Sequence, residues 1–225
     1  MQLSNRHENL IPLFPLGVVL LPHMHLPLHI FEERYKLMIR QCWEQKAEFG
    51  IVFFSGDQLA SIGCSAKIVK ILKRYDDGRS DIITHGEKRF IIKQIFDQKP
   101  FLQANVVFFD DDDEENVKVC EQLAIEGLKL LNQFDRITGE QNEIDVPETL
   151  EIKSISFKIA GCEGFELAEK QKLLELTSTH ERLRKGVDSL GMIIERIKIS
   201  KRVSKIINGN GNLSRLEQNP LNDSD

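Results

Sequence analysis

The chain has 225 residues, enough for one sizeable domain or two small ones at roughly 100–200 residues per domain. Hydrophobic residues make up 41% and charged residues 29%, so a core can form and wholesale disorder is excluded. A formal net charge of -5 argues against a protein whose main task is to coat phosphate backbones, while leaving room for a local basic face.

The first nine residues carry no apolar run and no small-residue cleavage site, so no signal peptide is expected. Leu10–Phe31 holds no Asp, Glu, Lys or Arg and is long enough to span a bilayer. Pro12, Pro15, Pro22 and Pro27 exclude a regular helix there, and an open non-helical segment cannot satisfy its backbone in lipid. The stretch therefore reads as strand and turn packed on a core. Cys42, Cys64, Cys120 and Cys162 stand alone, without a CxxC pair, as small buried apolar residues of a reducing compartment. A cytoplasmic location is the expectation.

Glu32–Lys46 reads as a helix whose apolar face is Tyr35, Met38, Ile39, Cys42 and Trp43. Phe49–Phe54 suits a buried strand, although periodicity alone does not exclude a helix. From Ala60 to Phe109 the pattern is β, with Ile62, Cys64, Ala66 and Ile68 on one face and a shift of face near Ile68 and Val69. Asp77-Gly78 predicts a hairpin, and His85-Gly86-Glu87 a second turn leading into Lys88–Asp97. Pro100 opens a last strand, in which Leu102, Ala104, Val106 and Phe108 share a face. Successive strands joined by tight turns, with one helix inserted early, favour a small closed or nearly closed barrel in an α+β chain.

Asp110–Glu115 is a run of six acids, read as a solvated linker or helix start in preference to a cation site. Val117–Phe134 is an amphipathic helix, and Pro147 is placed in the first turn of another that reaches Ala160. The Gly161–Gly164 break separates it from a helix ending near Leu176. Ser178 or Thr179 then caps a long helix with the seam Leu183, Val187, Leu190, Ile194 and Ile197, which ends at Lys201 and favours a packed helical hairpin over a coiled coil. Lys170–Lys205 carries ten Lys/Arg against four Asp/Glu, either a solvated helix face or a patch for acidic partners. Residues 208–225 are expected to be disordered.

No glycine is followed by lysine, so no classical P-loop is encoded, and Gly209-Asn-Gly211 is only a weak dinucleotide signal. There is no GxSxG elbow and no Ser-x-x-Lys. His23, His25 and His29 are the strongest metal candidates, but Pro22 and Pro27 make their geometry irregular and no carboxylate completes a fourth ligand before Glu32. They are read as histidines of a polar turn, and no metal or cofactor is assigned.

Several spaced blocks stand out: Ile11–Pro22 (IPLFPLGVVLLP), Leu26–Tyr35 (LPLHIFEERY), Phe49-Gly-Ile51, Asp77-Gly-Arg79 and Gly86–Phe90 (GEKRF). Gln171–Glu175 and Glu181–Leu183 add matching helical segments. Over about residues 10–200 the chain resembles the Lon protease N-terminal (substrate-recognition) domain family. The resemblance implies a PUA-like small β-barrel with an inserted helix over 1–112, followed by an α-helical subdomain over 113–207. It also implies a stand-alone Lon-domain protein without the ATPase and Ser/Lys peptidase modules, hence no enzyme. His23 and Leu21 depart from the small residue and the Phe that the family usually has at these two positions.

The expectation is a non-catalytic module that binds unfolded or extended polypeptide, or a protease or chaperone partner, in protein quality control. Leu20, Leu21, Met24 and Leu26 form the expected apolar lip. His29, Phe31, Glu32, Arg34, Tyr35 and Arg89 are read as fastening the early helix to the barrel, with a ligand rim as the alternative. RNA binding by a PUA-like protein and a small-molecule barrel are the rival readings, the former supported by the basic last helix. No membrane partner is expected.

Overall fold

The computed structural model describes residues 9–112, 116–140, 144–145, 147 and 149–210, without the side chains of 209 and 210. Among these residues, β1 (Asn9–Leu16) and β2 (His25–Ile30) precede α1 (Glu33–Gln45). Five strands follow: β3 (Phe49–Ser55), β4 (Gln58–Leu59), β5 (Ile62–Arg74), β6 (Ser80–Phe96) and β7 (Gln103–Phe109). Then come α2 (Val117–Thr138), α3 (Ile152–Ala160), α4 (Leu167–Glu175) and α5 (Thr179–Asn210).

β1 pairs antiparallel with β7 through Asn9–Pro12 and then parallel with β3 through Leu13–Leu16. With the β7–β6, β6–β5 and β5–β3 ladders, the pairings form a closed circuit, while β2 lies along β6 and β4 along β3. Pro12 and Pro15 would each remove a donor from a long ladder with one neighbour, and a strand that changes partner midway tolerates them. Inside the circuit, Leu13, Val52, Phe90, Ala104 and Val106 are fully buried. A Cβ on Gly50 or Gly63 would come within 2.6 or 2.7 Å of the Phe90 ring, so both glycines make room for it.

Helix α1 buries Tyr35, Met38, Ile39 and Cys42, and Tyr35 packs on Phe14 of β1 with ring centroids 4.1 Å apart. The expected shift of face in β5 is present as a register shift between Ile68 and Lys70. Gly78 turns the β5–β6 hairpin at φ 82°. The expected second turn at His85-Gly86-Glu87 does not exist, because β6 runs unbroken through it. Gly86 serves a close approach instead: a Cβ there would lie 2.3 Å from the Leu21 carbonyl oxygen.

Phe157 and Ala160 of α3 and Leu173 and Leu174 of α4 complete the core that α1 and the sheet begin. A second core joins α2, α3 and α5 through Cys120, Leu128, Leu131, Ile155, Leu183 and Leu190. Helix α3 begins at Ile152, so Pro147 lies before it and not in its first turn; Glu151 is the N-cap. Ser178 Oγ accepts the Glu181 N–H at 3.0 Å and caps α5, which continues through Asn210. Residues 208–210 are thus helical; the rest of the expected tail, 211–225, and residues 113–115 of the acidic run lie outside the described residues. All four cysteines are buried and none forms a disulfide, and burial pushes the Cys42 thiol up to about 11. Such thiols are inert at neutral pH. Among the described residues, no helix is long and apolar enough to cross a membrane.

Candidate functional site

Two of the four residues of the expected apolar lip are not at the surface. Leu20 and Leu21 are 3% and 2% exposed, and Met24 and Leu26 are partly buried against the same core. The cause is the seating of the Gly17–Met24 loop on Gly86. The His23 N–H donates to the Gly86 carbonyl at 2.8 Å, and the Gly86 N–H donates to the Met24 carbonyl at 2.9 Å. This pinning turns both leucines inward and holds His23 in the left-handed region at φ 65°.

Two of the candidate histidines, His23 and His25, neighbour His85, and His29 has a different partner. His25 packs edge-on against His85, 5.1 Å between centroids, while His23 lies 6.4 Å from His85. His29 Nδ1 lies 2.6 Å from Asp81 Oδ1, and the Tyr75 hydroxyl donates to Asp81 Oδ2 at 2.8 Å. These two hydrogen bonds hold the Asp81 carboxyl below its ordinary value. Burial, with the charges of His85 and Lys153, lowers His23. Among the described residues, no group of three or more His, Cys, Asp or Glu could hold a metal ion.

Among the motif residues, Arg34 pairs with Glu32 at 2.8 Å on the surface, and its guanidinium lies 4.7 Å from the Tyr35 ring. The buried Tyr35 ring joins α1 to β1, whereas this ion pair binds Glu32 only to a near neighbour. Phe31 is exposed and stacks on His29, 6.0 Å between centroids. Arg89 lies elsewhere, on β6 against the helices. It donates to the Leu174 carbonyl at 3.0 Å, to the Leu176 carbonyl and to Asp111 Oδ1.

Asp111 was expected in a solvated run, yet its side chain is 6% exposed. Arg89 holds one carboxylate oxygen, and Arg182 of α5 reaches both, with Nη1 at 3.1 Å from Oδ1. Arg182 also donates to Ser156 Oγ at 2.8 Å and to the Leu176 carbonyl at 2.9 Å, and its guanidinium stacks 3.8 Å from the Phe157 ring centre. Burial alone would raise the Asp111 carboxyl, but hydrogen bonds from Arg182 and Thr179 and the charges of both arginines hold it below its ordinary value. The cluster ties β6, the α4 end and α5 together, and its arginines satisfy carbonyls left over at the end of α4. Sequence reasoning had no means to choose Asp111 from six acids, because its partners are distant in the chain. Asp110 of the same run pairs with Lys153.

Open clefts border these elements among the described residues. One, about 430 Å³, lies over this junction between His23, Lys88, Phe108, Asp110 and Lys153. Another, about 400 Å³, runs between α1 and the β5–β6 hairpin and is lined by Lys36, Arg40, Trp43, Ile71, Arg74, Tyr75 and Arg79. Lys36 Nζ closes one end of it by donating to the Asp77 carbonyl at 2.8 Å. Lys73 and Arg79 sit 4.4 and 4.9 Å from the Tyr75 ring centre. Trp43 was expected on the buried face of α1; it is 40% exposed and also lines an adjoining bay of about 330 Å³ with Lys46, Lys67, Ile68 and Val69. Its place at the end of the helical apolar stripe was the available signal, since such end positions border solvent.

Residues 10–191 match the family of the ATP-dependent protease La (LON) substrate-binding domain. Curated relatives include the Lon proteases of Xanthomonas oryzae pv. oryzae, 25% identical over 86% of this chain and 24% of theirs, and of Escherichia coli K12, 27% identical over 86% and 26%. The chain thus spans about a quarter of the length of these relatives. Among solved structures, the N-terminal domain of Mycobacterium avium complex Lon protease superposes with a TM-score of 0.66, at 21% identity, covering 81% of this chain and 98% of that one. A Lon N-terminal domain protein from Xanthomonas campestris gives 0.59, at 22% identity, covering 79% and 96%. The match lies in the substrate-binding region and not in the ATPase or protease regions. Sequence family and fold agree over most of the chain, which therefore belongs to the Lon substrate-binding domain family.

Proposed function

We propose that this protein is a non-catalytic binding module that recognises exposed segments of polypeptide and delivers them to a protease or chaperone in protein quality control. The observation that carries this reading is the family match over residues 10–191, whose description is a substrate-binding domain. The closed circuit of strand pairings supports a PUA-like barrel as the platform. We place the recognition surface at the α1 groove, where Trp43 and Tyr75 offer large amphipathic surfaces among cations. Leu20 and Leu21 are withdrawn from this role by their burial.

Trp43 is the single tryptophan of the chain, so its emission reports on this groove and the bay that adjoins it. A reduced and alkylated polypeptide, kept unfolded, is titrated against the protein, with a folded protein in parallel. Saturable binding of the unfolded chain with a shift in Trp43 emission is expected. Equal binding of the folded protein, or no binding of the unfolded one, overturns the reading.

A further inference from the structure

Strand β5 is paired on both sides only at its start. Cys64–Ala66 faces β3, but from Lys67 to Arg74 its one described strand neighbour is β6. Along these eight residues, roughly 25 Å at about 3.3 Å per residue, one side of the strand has no strand partner among the described residues. The α1 groove and its adjoining bay lie along this edge and meet at Trp43.

We propose that the free edge of β5, Lys67–Arg74, captures an extended acidic polypeptide segment by adding it to the sheet as a strand, with an apolar side chain of the segment against Trp43. This rests on the polypeptide-binding reading and names the class of segment and the mode of capture. Backbone pairing supplies sequence-tolerant affinity, and side chains supply the choice.

Charge carries the choice. Lys67, Lys70, Lys73 and Arg74 stand on β5, and Ile62–Arg74 holds no acid. Edge lysines and irregular register are also how proteins keep edges from pairing with their own kind. The two roles are compatible: two copies of this edge repel each other, whereas an acidic strand is attracted. Val69 and Leu72 are 46% and 53% exposed, so the edge presents apolar surface between its cations. RNA would also meet cations and aromatics here. It has no use for a row of peptide donors and acceptors, however, and it is the backbone edge that separates the two ligands.

The test uses labelled eight-residue peptides of alternating Glu and Ile, a Lys/Ile counterpart, the acidic peptide N-methylated at alternate residues, and single-stranded RNA. Anisotropy and Trp43 emission are read on the full chain and on Lys70→Glu/Lys73→Glu, two exposed positions whose variant is checked by circular dichroism. The acidic peptide is expected to bind saturably and shift Trp43. The double variant should weaken it at least tenfold and gain the basic peptide, and N-methylation should cost at least tenfold. Unchanged affinity after charge reversal or after N-methylation overturns the proposal, as does RNA binding in place of peptide. An unfolded polypeptide that binds the double variant undiminished overturns this edge but keeps the broader reading; an unfolded polypeptide that binds neither protein overturns both.

Discussion

Gly86 sets the position of a whole loop by what it lacks. With no Cβ, its backbone lies against Leu21, exchanges hydrogen bonds with His23 and Met24, and sends Leu20 and Leu21 into the core. Gly86→Ala would place a methyl 2.3 Å from a backbone carbonyl oxygen that cannot swing away. The expected cost is about 2–3 kcal/mol in urea unfolding, at the upper end of overpacking effects. Gly17→Ala, where a Cβ meets nothing within 4 Å, should stay within about 0.5 kcal/mol. A glycine in an alternating pattern signals either a turn or a close approach, and only the partner decides. That partner is 65 residues away for Leu21 and Gly86, so the sequence could flag the glycine but not its role.

Among the elements, α5 divides into a packed and an unpacked half. Leu183, Val187, Leu190 and Ile194 are buried against α2 and α3, whereas Ile199, Val203, Ile206 and Ile207 are 48–63% exposed. Leu190→Ala should therefore cost about 2–5 kcal/mol, while Ile206→Ala should change stability by less than about 0.5 kcal/mol, both read from denaturant midpoints. The seam to Ile197 was legible because helix period and burial coincide there. Beyond it the same period continues with no packing partner among the described residues, and a pattern of apolar residues cannot say whether anything covers it. Helix α1 was read with similar success except at Trp43, where the stripe meets the surface. The β5–β6 hairpin was legible from Asp77-Gly78, but the open edge of β5 depends on where β3 stops pairing, and that is a property of the sheet.

At the scale of the molecule, the sheet and the later helices are joined by shared core and by shared charge. Phe157, Leu173 and Leu174 pack into the core with Phe14 and Met38, and Asp111 links Arg89 of β6 to Arg182 of α5. Removing the carboxylate leaves two buried guanidiniums without their counter-charge, a loss of about 3–5 kcal/mol. Trp43 emission reports the sheet side and circular dichroism at 222 nm chiefly the helices. Coincident transitions are expected by both probes, with Asp111→Asn lowering their common midpoint. The acid limb gives an independent check. Folding holds the Asp111 carboxyl below its unfolded value of about 3.9, so its contribution is present above about pH 4 and is lost as pH falls through the folded value. Asp110, which Lys153 and the Asp111 N–H also hold low against the effect of burial, contributes in the same direction. Urea midpoints measured from pH 7 to pH 3 should therefore fall below about pH 4 in the parent protein and fall less in Asp111→Asn. Equal acid slopes in the two proteins would show that the Asp111 carboxyl does not supply this pH dependence.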